Sequence, residues 1–319
     1  MTNFEVSKKQ TTCIKGIAIL LVILGHLSLI DCSGAWGVHL FLIISGYGMY
    51  CSYESSGLKL FWKKRMEAVW EPYFFCTITF LLVRIFLHEK FSIANVIGSL
   101  IGLDFGLNID PTMWYISYIF AMYTIFFFAI KIKNRKVGIF IAGVLQVIIT
   151  GLGYLSIAWH RGTIAWAYAL SFPIGVIWGK IRNTEITPKK KKAICILSFA
   201  FSALVVAHRY GKIHGGPEEL VFTLFAAVGI IAFVELVGFA NLPIIGGGVY
   251  RLGRISFFMY LNEYFVLLKM GFLKNYMNEY VADLLILISS ICLATVEQTV
   301  WNLFKERKSS DKIRTGKRI

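Results

Sequence analysis

Ten apolar stretches, broken by short polar or basic connections, run the length of this chain: roughly residues 14–31, 36–53, 72–88, 112–130, 137–155, 163–179, 193–208, 219–240, 254–272 and 282–304. About 20 apolar residues suffice for a helix to cross a bilayer. The pattern therefore predicts an all-α integral membrane protein of about ten transmembrane helices. Residues 1–304 form its polytopic membrane domain, and 305–319 a basic tail expected to be disordered. Segment 89–111 is the longest expected outer connection, with an interfacial helix expected at 92–103, too short to span. Residues 241–254, with Gly246, Gly247 and Gly248, read as a flexible loop.

Composition agrees. The 319 residues are 57% hydrophobic and 16% charged, against about 45–50% and 25% in soluble domains. The net charge of +15 would suit nucleic acid, but its placement argues otherwise. With the N-terminus inside, 25 of the 33 Lys and Arg fall on inner segments and six on outer ones. That asymmetry is the positive-inside signature, and it predicts both termini in the cytoplasm of a multi-pass cell-membrane protein with no nucleic-acid partner. Lys189 to Lys192 read as an anchor near anionic lipid. The N-terminus resembles a signal peptide but lacks a small-x-small cleavage site, so a retained first span is expected. Six scattered cysteines, Cys32 among them, form no C-x-x-C pair and no metal-ligand spacing, and read as packing residues.

Candidate chemistry begins with His26, an ionisable residue inside the first apolar stretch. Such residues are costly in a membrane and mark functional sites or interhelical hydrogen bonds. Lys15 precedes it by 11 residues, about 1100° of rotation and about 16 Å of rise, so both lie on one helix face. A neutral imidazole there suits a general base toward an alcohol. Ser45, within Ser45-Gly46-Tyr47, is a conceivable nucleophile or a packing hydroxyl, and His39 a second polar candidate. Lys63, Lys64 and Arg65 precede Pro72 and suit either topology anchoring or phosphate recognition. Trp114 and Tyr115 open a span where interfacial aromatics are common. Tyr260 and Glu263 follow Ile255-Ser256, and Glu263 and Arg84 each require a partner inside the membrane.

Taken in order, these pieces resemble the membrane acyltransferase-3 family, which contains bacterial O-acetyltransferases of surface polysaccharides. The resemblance runs from about residue 11 to 268. It rests on Lys15 and His26, the Gly37-Val38-x-Leu40-Phe41-x-x-x-Ser45-Gly46-Tyr47 block, the basic run into Pro72-Tyr73, Trp114-Tyr115, Phe172-Pro173-x-Gly175 to Gly179, and Ile255-Ser256 to Tyr260-Leu261. It implies transfer of an acyl group, most simply acetyl, from cytoplasmic acyl-coenzyme A. The acceptor implied is a hydroxyl of a cell-surface glycan or lipid-linked sugar. Acyl-coenzyme A is then a co-substrate, with no permanently bound cofactor. By resemblance His26 is the base, Lys15 matches the family's first-span arginine, and Arg65 matches its basic motif in part; with Lys63 and Lys64 these are expected to face the donor phosphates, and Ser45, Tyr47 or helix-end amides to stabilise the oxyanion. Four positions depart from the family pattern. Lys15 replaces an arginine, Val69 replaces a second arginine before the proline, His39 replaces an acidic or small polar residue, and Glu263 replaces a histidine. A transporter or flippase of a glycan or small solute, or an inactive structural partner, are the competing classes.

Overall fold

The computed structural model describes residues 2–30, 33–102, 113–155, 168–209 and 217–314. Among them every one of the ten apolar stretches falls on a helix. In chain order these are α1 (Lys8–His26), α2 (Ser33–Ser56), α3 (Phe61–Arg65), a π-helical turn (Met66–Trp70), α4 (Glu71–Phe86), α5 (Ile93–Leu100), α6 (Trp114–Lys131), α7 (Arg135–Leu155), α8 (Ser171–Ile181), α9 (Pro188–Arg209), α10 (Pro217–Val237), α11 (Ile245–Met270) and α12 (Glu279–Arg314). Among the described residues, three helical stretches are long and apolar enough to cross a membrane: Phe61–Phe86, Trp114–Lys131 and Glu279–Arg307. The short helix expected in the outer connection is α5. Cys32, Asp104, Asn108, Asp110, Pro111, Arg161 and Lys212 lie outside the described residues.

Four boundaries differ from expectation. α1 starts at Lys8, because Ser7 caps the backbone N–H of Gln10 while the Gln10 side chain returns to the Ser7 N–H. It also ends at His26, five residues before the apolar run does. The expected loop 241–254 is largely helix: α11 begins at Ile245 and takes in Gly246 to Gly248 and both arginines. The tail is not wholly disordered, since α12 continues to Arg314; Lys, Glu and Arg are good helix formers.

The chain divides into two compact units. The first comprises residues 1–64 and 113–254, and its core joins α1, α2 and α10 through Ile14, Ala18, Leu40, Ile43, Leu224 and Ala227. Small residues let these helices touch backbone to backbone. A Cβ at Gly37 would stand 2.4 Å from the Ala18 oxygen, and one at Gly175 2.0 Å from the Ile43 oxygen. Gly175 and Gly179 thus form a G-x-x-x-G stripe that seats α8 on α2. Residues 2–6 form a strap over one end of this unit. Thr2 pairs with Ile186, the Phe4 N–H donates to the Arg182 carbonyl (2.9 Å), and Trp178 Nε1 donates to the Phe4 carbonyl (3.0 Å).

The second unit comprises residues 65–112 and 255–319. Phe80 of α4 stacks on Phe265 of α11 at 4.2 Å, and the Tyr73 hydroxyl donates to the Ser99 carbonyl of α5. Arg84 finds its carboxylate here: Glu89, 2.6 Å away in the connection after α4, which also pairs with Lys269. Lys274 holds the buried Asp283 at 2.9 Å.

Candidate active site

His26 is the last residue of α1, not a mid-helix residue, and it is half-buried. The helix stops there because Leu27 N–H closes on Ile23 and Gly25 carbonyls and Ser28 turns left-handed, at φ 57°. That conformation costs a non-glycine residue about 1–2 kcal/mol, so the packing around the turn holds it. The holding contact is visible one residue before the imidazole. Gly25 lies against Gly34 at the start of α2, so close that a Cβ would stand 2.5 Å from the Gly34 nitrogen. Two antiparallel helices therefore fix the height at which His26 emerges.

Lys15 lies on the same continuous helix, two turns from its start, and is exposed. The 11-residue spacing keeps cation and imidazole on one face, about 16 Å apart by helix rise. Of the expected site residues, these two share one helix face.

The expected oxyanion donors do not gather around His26. Tyr47 sits at the opposite end of α1, where its hydroxyl accepts from Val6 N–H of the strap (3.1 Å) and its ring lies 4.9 Å from Trp178. Val6 precedes α1 and His26 ends it, so about 28 Å of helix separates them. Ser45 is hydrogen-bonded to Tyr115, and lies eleven residues along α2 from Gly34, about 16 Å by rise. Tyr115 is buried rather than facing outward with the interfacial aromatics. Trp114 stacks on Tyr168 at 5.4 Å.

His39 is a fully buried core residue. Its Nδ1 meets the Ser171 hydroxyl and its Nε2 the Thr223 hydroxyl at 2.8 Å, with the Tyr168 ring edge-on at 4.7 Å. Both ring nitrogens are thereby satisfied by α8 and α10, which is the neutral, structural use of an imidazole. Sequence reasoning missed Ser171 and Thr223, since nothing local ties them to residue 39.

The basic run divides between elements. Lys63 and Lys64 end the first unit, with the Lys64 ammonium donating to the Ser56 hydroxyl at 2.7 Å. Arg65 begins the second. A π-helical turn follows at once, with Glu71 N–H reaching back to the Met66 carbonyl. Pro72 explains it, because proline lacks the N–H that would continue the α ladder. Such bulges recur at functional sites.

In the second unit, Glu263 is buried on α11, as is Tyr260 one turn before it. Beside them Asn262 Nδ2 donates to Glu297 at 3.0 Å, and Cys76 is a further partner of that carboxylate. Nothing local in the sequence joins Glu297 to Asn262, 35 residues away, or to Cys76.

A family model described as an acyltransferase domain, acyltransferase 3, matches residues 11–296. The chain belongs to the acyltransferase-3 family. No curated protein matches it, and no solved structure does. The match spans nearly nine-tenths of the chain and takes in both units, so its activity class is acyl transfer. In this acyltransferase, Val69, which stands where a second arginine was expected, lies inside the π turn that Pro72 imposes.

Proposed function

We propose that this acyltransferase moves an acyl group, most simply acetyl, from cytoplasmic acyl-coenzyme A to a hydroxyl of a cell-surface glycan or glycan precursor. The observation that carries this reading is the pair on α1: an exposed lysine and, about 16 Å further along the same face, a histidine at the helix end. The donor's phosphates meet Lys15 with Lys63 and Lys64 of the same unit. The pantetheine arm follows α1, so that the thioester lies beside His26. The imidazole takes the proton of the acceptor hydroxyl as the oxygen attacks the thioester carbon. It then returns that proton to the leaving thiolate, so no net proton is consumed. The oxyanion falls to backbone amides at the start of α2, where Gly34 meets Gly25, since Ser45 and Tyr47 lie elsewhere.

The reading includes ten spans with both termini cytoplasmic. One end of the first unit gathers what that topology puts inside: the strap on residues 178–186, Gln10 on Glu235 (2.8 Å), and Lys191 on the same carboxylate. His26 is at the other end of α1, on the side from which an outer acceptor arrives.

The test is release of coenzyme A from acetyl-coenzyme A by the purified protein in lipid. His26→Ala should lower turnover about 100–10,000-fold, the usual worth of a positioned acid–base group, with donor binding retained. Lys15→Ala should instead weaken donor binding. Unchanged release by His26→Ala would exclude the base assignment. Solute flux with no thioester loss would favour a transporter.

A further inference from the structure

The second unit carries an open groove that acyl transfer to a sugar leaves unused. Its walls are α4, with the π turn before it, and the later part of α12, both within stretches long and apolar enough to cross a membrane. The groove holds about 770 Å³, within the ~300–1,000 Å³ of ligand clefts. Trp70, Phe74 and Phe75 line one wall, and Trp301 and Phe304 the other. These rings brace one another. Trp70 stacks on Phe74 at 4.9 Å, and Phe75 lies 6.0 Å from Trp301 and 6.3 Å from Phe304. Towards the middle of α4 the lining continues with Ile78 and Leu82, 37% and 61% exposed. From Trp70 to Leu82 the trough runs about 18 Å by helix rise, the scale of a hydrocarbon chain rather than of a sugar.

Charged groups stand at one end only. Lys305 and Arg307 lie there, where the apolar part of α12 stops, with Glu71 across from them. The Lys305 stem passes over the Trp301 ring, its ammonium 5.3 Å from the ring centre and 3.5 Å from the Glu67 carbonyl. Its charge is thus delivered to the mouth while its methylenes cover the aromatic wall. Two cations facing one carboxylate leave a positive charge over.

We infer that this groove is a binding site for one anionic phospholipid. An acyl chain lies along the aromatic and aliphatic trough, and the headgroup phosphate meets Lys305 and Arg307. Hydrocarbon must cover the trough in any bilayer, whereas cations confined to one end select the charge of the headgroup above it. The site stands whether or not His26 is a catalytic base.

Native mass spectrometry of the full chain in mild detergent tests it, with phosphatidylglycerol and phosphatidylcholine added at equal concentration. One phosphatidylglycerol should be retained in preference to phosphatidylcholine. Retention should fall about fivefold for each cation removed, in Lys305→Ala and in Arg307→Ala. Trp301→Ala should weaken both lipids alike, because it removes wall rather than charge. Both cations are exposed, and elution of each variant at the monodisperse position of the wild type shows that the fold survives. Equal retention of the two lipids, undiminished retention by the cation variants, or displacement of the lipid by a polyprenyl phosphate or by acyl-coenzyme A would overturn the assignment.

Discussion

Two histidines 13 residues apart illustrate how burial decides what an imidazole does. His39 has a hydroxyl on each ring nitrogen and an aromatic edge against its face, so no lone pair is left to act as a base. Removing it leaves the Ser171 and Thr223 hydroxyls buried without it and opens a cavity. His39→Ala should therefore cost about 2–5 kcal/mol, read as a lower thermal midpoint in detergent. The folded fraction should still bind acyl-coenzyme A. Loss of donor binding at unchanged stability would contradict the structural role. Sequence reasoning placed both histidines on spans but could not separate them, because the partners of His39 lie 132 and 184 residues away.

A second residue-scale prediction concerns pH. The hydrogen bond from Lys269, with the nearby Arg84, holds the Glu89 carboxyl below the ordinary glutamate range. A depressed carboxyl favours the folded state above its unfolded pKa of about 4.3. That contribution is lost as the pH falls through the lower folded value. Wild type should thus be more heat-stable than Glu89→Gln at pH 6, and the two should converge as the pH is taken towards 3. Glu89 is partly exposed, so solvent screening keeps the difference modest. A gap that persists at pH 3 would mean that Glu89 acts through packing rather than charge.

At the scale of elements, glycine sets the spacing on which the site depends. The Gly37-to-Tyr47 block and the Gly175–Gly179 pair were noticed as motifs, and the fold shows why they hold those residues: each faces the backbone of a neighbouring helix. Gly25 matters most for function, since it sits directly before His26. Gly25→Ala would force its methyl into the Gly34 backbone and separate α1 from α2 where the imidazole emerges. A displacement near 1 Å costs up to about 100-fold in rate, so coenzyme A release should drop while the protein still folds and binds donor. Overpacking of this kind costs about 1–3 kcal/mol of stability. Release at the wild-type rate would show that the α1–α2 contact does not position His26. Helix starts were harder to read than helix cores. The Ser7–Gln10 capping box has the pattern Ser-x-x-Gln, and it lies ahead of the apolar run from which the first span was drawn. At α11 the three glycines were read as a loop because their intrinsic helix propensity is low. Of the three only Gly246 packs closely, a Cβ there lying 2.5 Å from the Phe239 oxygen; further along α11 a Cβ at Gly253 would lie 1.9 Å from the Thr12 oxygen, so packing at these two positions offsets the low propensity.

For the whole molecule, periodicity and charge carry different information. Among the described residues a helix lies under each of the ten apolar stretches, because burial in hydrocarbon or protein core demands apolar length everywhere. Sidedness is written only in Lys and Arg, and the fold bears on it through what it collects at one end of the first unit. The strap, Arg182 with Glu54, and Lys191 with Glu235 and Gln10 all come from segments that the charge count puts inside. Residues far apart in sequence meet there. The expectation is then definite at single positions. Cysteines introduced at Lys59 and Lys189 should react with a membrane-impermeant maleimide only after the cells are opened. Those at Lys90 and Asn278 should react in intact cells, above the background of the native cysteines. Reaction of residue 189 in intact cells would reverse the sidedness of the strap end, and with it the route by which a cytoplasmic donor reaches Lys15. Protection of residue 90 would instead remove a crossing between α2 and α6, leaving an odd number of spans and placing the two termini on opposite faces.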